Sequence, residues 1–63
     1  MTTLASREIV RAILGLPGWT PERLATRLRV SVPCIRNWRL GRGKPHHVNR
    51  EALDRLFRRL GLE

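Results

Sequence analysis

Three times in this chain an apolar residue precedes a capping residue, and a second apolar residue follows four positions after the cap. The sets are Trp19-Thr20 with Leu24, Val30-Ser31 with Ile35, and Val48-Asn49 with Leu53. A cap side chain accepts from the free N–H groups of a helix's first turn, and the flanking apolar pair staples the incoming chain to it. The pattern therefore predicts three helix starts. Ahead of them Ile9, Val10, Ile13 and Leu14 form an apolar stripe at helical spacing, and no segment alternates strictly enough for a strand. The expectation is an all-α, compact four-helix domain over residues 1–63, with helices at about 4–14, 21–28, 32–40 and 50–60.

Smaller signals fill in the ends. Gly15 is placed as a left-handed stop to the first helix and Gly61 as the stop to the fourth. Pro21 suits the first position of the second helix, where no N–H bond is lost. Pro33 leaves the start of the third between Val32 and Pro33. On the fourth, Glu51 with Arg55 and Asp54 with Arg58 are spaced as stabilising i,i+4 pairs. The link Arg29-Val30-Ser31 is too short for antiparallel packing and forces a sharp corner. Trp19, Ile35 and Trp38 read as core.

With 63 residues, a chain buries only about 60% of the surface its unfolded form exposes, enough for a small core and one working surface. A lone cysteine, Cys34, precludes an internal disulfide and reads as a small core residue. The chain holds no apolar run long enough for a membrane span, and its N-terminus lacks the pattern of a secretory signal, so a cytoplasmic setting is the default expectation. No Ser/His/Asp set, paired carboxylates or phosphate loop is present, which argues against an enzyme. His46-His47 has no further ligand at metal spacing and is placed on a loop; no metal or cofactor is expected.

Charge is the informative quantity. Thirteen Lys and Arg against five Asp and Glu leave a net +8. Arg23, Arg27, Arg29, Arg36, Arg39, Arg42, Lys44 and Arg50 fall in one stretch that contains no acid; elsewhere five bases face five acids. The whole net charge thus belongs to the middle of the chain. A one-sign patch repels itself, and a polyanionic partner is the usual reason to tolerate it.

The run from Trp19 to Gly41, followed by Pro45, resembles the Cro/phage-repressor-like, xenobiotic-response-element type of helix-turn-helix family. Leu24, Ala25, Leu28, Val30, Ser31, Ile35, Trp38 and Gly41 fall on the family's positions, and the likeness covers about Ile9–Leu60. It departs in three places: Arg29 stands where a corner glycine is usual, Pro21 where a phosphate-binding Gln is frequent, and Arg39 where an acid often follows.

The resemblance implies a lambda-repressor-like fold and a sequence-specific regulator of transcription, most simply a small repressor, that reads double-stranded DNA with its third helix. Setting Ile35 inward at 100° per residue points Pro33, Arg36, Asn37 and Leu40 outward. By resemblance Val32, Pro33, Arg36 and Asn37 touch base edges. Asn37 suits adenine and Arg36 suits guanine, with a phosphate contact as the alternative for Arg36. Thr20, Ser31, Arg39, Arg42 and Lys44 are assigned to phosphates. A homodimer on a near-palindromic operator follows, formed through Phe57, Leu60 and Leu62 or only on DNA, since the family's fifth helix has no counterpart here. No small-molecule ligand and no membrane is expected. Two other readings stay open: an adaptor docking on an acidic protein of the transcription machinery, and an RNA-binding regulator.

Overall fold

The computed structural model describes residues 4–63, which form four helices and no strand: α1 (Ser6–Leu14), α2 (Pro21–Leu28), α3 (Val32–Arg39) and α4 (His47–Arg59). Residues 1–3, at the start of the expected domain, lie outside the described residues. α3 and α4 each pack on both α1 and α2 but barely touch one another. The centre is filled by Ile9, Ile13, Leu24, Ile35 and Leu53, all fully buried, with Trp38, Leu56 and Phe57 closing around them.

Two of the three expected caps form. Thr20 Oγ1 accepts the Arg23 N–H at 3.1 Å, and Ser31 Oγ accepts the Cys34 N–H at 3.3 Å. Ser31 also directs its hydroxyl to Cys34 Sγ at 3.2 Å. The third does not. α4 starts at His47 with His46 as the extended flanking residue, which takes His47 but not His46 off the loop and puts Asn49 inside the helix. Val48 is 60% exposed, so it cannot staple onto buried Leu53. A cap preference of about 1 kcal/mol does not end a helix that gains a further turn of backbone bonds, the first from the Arg50 N–H to the His46 carbonyl at 2.8 Å. α1 also begins later than expected, after Ala5, whose carbonyl accepts from Glu8 and Ile9.

The corner between α2 and α3 is tight. Arg29, which stands where a corner glycine is usual, takes the left-handed conformation, with φ 58° and ψ 44°, at a cost of about 1 kcal/mol for a residue with a Cβ. Gly15 does not behave as expected: its φ is −78°, in the right-handed region. The chain makes two further short turns, Leu16 N–H to Ile13 and Trp19 N–H to Leu16, and reverses only at Gly18, φ 81°.

Trp38 is core, but Trp19 is only half-buried. The Arg23 guanidinium lies 4.5 Å from the Trp19 ring centroid and donates to the Gly18 carbonyl at 3.2 Å, so Arg23 has a local task rather than general attraction. The same is true of Arg50. Its Nε pairs with Asp54 at 3.1 Å, its Nη1 donates to Ser6 Oγ at 2.8 Å, and its Nη2 donates to the Leu4 carbonyl. This partly buried fork ties α4 to the start of α1 across 44 residues of sequence. It also takes Asp54 away from Arg58, and no ion pair joins Glu51 to Arg55. Charge-assisted bonds of this kind contribute about 1.5–3 kcal/mol. Arg50→Ala is therefore expected to lower stability by about 1–3 kcal/mol in urea unfolding, whereas Arg58→Ala should change it by less than about 0.5 kcal/mol.

Candidate nucleic-acid interface

α3 divides cleanly. Ile35 and Trp38 point into the core, while Pro33, Arg36, Asn37, Arg39 and Leu40 are exposed. Val32 is half-buried against the core at the helix start, so only part of its side chain faces out. The exposed strip carries no acid. Arg36, Asn37 and Arg39 engage in no side-chain hydrogen bond or ion pair among the described residues. Leu40, 58% exposed, continues the strip by one further turn. Its angular position had already set it outward, although no role was attached to it.

Past α3 the backbone folds back on the helix end. Gly41 (φ 77°) donates to the Trp38 carbonyl at 3.1 Å, and Arg42 donates to the Asn37 carbonyl at 2.7 Å. These bonds fix the loop beside the C-terminal end of α3 and leave the Arg42 and Lys44 side chains exposed. Arg7, at the far end of the chain, joins them: a Cβ placed on Gly41 would stand 3.5 Å from Arg7 Cδ. Arg7, Lys44 and Arg50, with Ser6, Gly43 and the edge of Trp38, line a cleft of about 420 Å³. Counting charge along the chain had left Arg7 among the balanced ends. Its recruitment depends on where α1 packs, which no local signal encodes.

Thr20 and Ser31 stand exposed at the N-terminal ends of α2 and α3, their oxygens already occupied as caps. Pro21 has no N–H to offer, and the Arg23 and Leu24 N–H groups are taken by Thr20, so an anion at the start of α2 would meet the Glu22 N–H. Phe57 does not form an outer surface: it is 3% exposed and belongs to the core, because the α4 stripe turns inward. Leu60 and Leu62 are half-buried against that core, and the Leu62 N–H folds back to the Phe57 carbonyl at 3.1 Å. Of the three residues assigned to a dimer contact, Phe57 is unavailable, and the other two are partly used within the chain.

No three His, Cys, Asp or Glu gather as a metal site among the described residues, and no helix among them is long and apolar enough to cross a membrane. No family model, curated protein or solved structure matches the chain.

Proposed function

We propose that this chain is a sequence-specific double-stranded DNA-binding regulator of transcription, of the Cro/phage-repressor-like helix-turn-helix kind and acting in the cytoplasm as a small repressor. The observation that carries the reading is the α3 strip. Pro33, Arg36, Asn37 and Leu40 stand exposed on a helix set by a three-residue corner, with no acid among them. A helix presented in this way fits the major groove, where Asn pairs bidentately with adenine and Arg with guanine.

In this reading Asn37 and Arg36 read base edges, and Pro33, Leu40 and the exposed part of Val32 pack against thymine methyl groups. Arg39, Arg42 and Lys44 neutralise phosphates beside the groove, while Thr20 and Ser31 mark helix N-termini that face the backbone. Arg7 extends the same positive edge from the other end of the chain. Binding as a homodimer on a near-palindromic operator remains part of the proposal, but with Phe57 buried the pairing forms on the DNA itself, aided by Leu60 and Leu62.

Single substitutions test the assignment. Asn37→Ala and Arg36→Ala should each weaken binding to the preferred duplex by about 1–3 kcal/mol per contact, with little loss on unrelated duplex. Lys44→Ala should weaken both about equally. Gel shift on the two duplexes reads this directly, and wild-type binding by both α3 variants would remove α3 from the groove.

A further inference from the structure

Two cations far apart in the sequence line one cleft. Arg7 on α1 and Lys44 on the loop after α3 both border the space of about 420 Å³, and no acid does. Neither side chain makes a hydrogen bond or ion pair among the described residues. Arg50 borders it too, but its nitrogens are taken by Asp54, Ser6 and Leu4. Arg7 reaches the loop by crossing Gly41: a Cβ placed there would stand 3.5 Å from Arg7 Cδ and 3.9 Å from its Nη1. A helix dipole favours a cation beside the C-terminal end, yet α3 already carries Arg36 and Arg39 in its last turn. Helix stability therefore does not require Arg7 there, and its charge and that of Lys44 repel. Gly41 and Gly43, at φ 77° and 71°, also line the cleft, and the lack of side chains lets a ligand come close to the backbone. The Gly43 and Lys44 N–H groups make no backbone bond among the described residues.

We infer that Arg7 and Lys44 grip one phosphate of the DNA backbone between them, with the Gly43 and Lys44 N–H groups as further donors. The inference rests on the proposal that α3 lies in the major groove. Its eight residues make α3 about 12 Å long, close to the groove's width of about 12 Å. What lies just past the helix end therefore meets the sugar-phosphate backbone, and this cleft begins at Trp38 and Gly41. Both unesterified oxygens of a backbone phosphate can accept, one from the guanidinium and one from the ammonium. α1 thereby joins the DNA-binding surface through a residue outside the acid-free stretch.

The test is binding of the full chain, by fluorescence anisotropy, to its preferred duplex and to copies in which one phosphate is replaced by an uncharged methylphosphonate. In wild type, one position for each bound protomer should weaken binding by about tenfold. Arg7→Ala and Lys44→Ala should each lose most of the sensitivity at that same position, because contacts sharing a partner are not additive. Arg11→Ala removes an equal charge from an exposed site on α1 that does not line the cleft, and should keep the full sensitivity. Melting curves matching wild type show that the variants are folded. Sensitivity kept in Arg7→Ala or Lys44→Ala, lost at different positions in the two, or lost equally in Arg11→Ala would each overturn the inference. Asn37→Ala on the unmodified duplex reports base reading separately. If it binds as wild type, the groove assignment falls, and the pair is judged by amide NMR shifts. Gly41, Gly43 and Lys44 should then move with duplex in wild type but not in Arg7→Ala; equal movement in both refutes the pair. Inorganic phosphate at the same concentration should move none of them. Movement as large as with duplex would make the cleft a site for free phosphate and overturn the inference.

Discussion

Raising the salt from about 50 to about 200 mM should weaken binding to duplex DNA by roughly a thousandfold or more. The expectation follows from what neutralises what. Arg39, Arg42 and Lys44 are exposed along or just past one end of α3, and Arg7 lies against the same loop. Each phosphate they neutralise releases condensed counterions, so each one steepens the salt dependence. For two protomers on one site using about seven phosphates, log K against log salt should slope near −6. Lys44→Ala should flatten that slope by about 1 for each protomer bound. Arg23→Ala and Arg50→Ala should leave it nearly unchanged, because one guanidinium is held on Trp19 and the other on Asp54 and α1. A slope near zero, or one flattened equally by every arginine, would show that net charge acts without this geometry.

Trp38→Ala should cost about 3–5 kcal/mol and lower the melting temperature by about 15 °C or more. Trp38 is 7% exposed and closes the core next to Ile35, and truncation leaves a cavity that so small a core cannot refill. A chain of this length has only about 3–9 kcal/mol to lose, so much of the population should be unfolded at 37 °C. Trp19→Ala is the internal comparison. It removes a half-buried ring and the arginine laid on it, and should cost clearly less, about 1–2 kcal/mol. Thermal melts followed by circular dichroism separate the two. Equal losses would mean that the two tryptophans share the core equally.

Local chemistry made much of this architecture readable. The caps Thr20 and Ser31, the proline at the start of α2, the corner at Arg29 and the glycines at Gly41 and Gly61 act within a few residues, and each took the conformation its neighbours demand. Reading failed where competing backbone bonds or a distant contact outweighed a local preference. Asn49 is a good cap, but the turn before it is stabilised as helix and Val48 faces solvent. Gly15 is a good helix stop, but the chain defers its reversal to Gly18. Charges misled in the same way. Arg50 counts as one more cation in a basic stretch until its partner on α1 is known, and Arg7 counts as a balanced end until α1 packs beside the loop. Phe57 fits the apolar stripe of α4 equally well as core or as contact surface; only the packing of α1 and α2 against α4 decides. The outward face of α3 was legible because a single inward residue, Ile35, sets the rotation of every other side chain on the helix.

Selecting bound duplexes from a random DNA library with the full chain tests the central proposal most directly. The prediction is a short enriched motif with adenine and guanine at positions lost in Asn37→Ala and Arg36→Ala selections, repeated in inverted orientation about one helical turn apart. Retention of duplex with no enriched motif, or a motif identical in both variants, would contradict a reading role for α3.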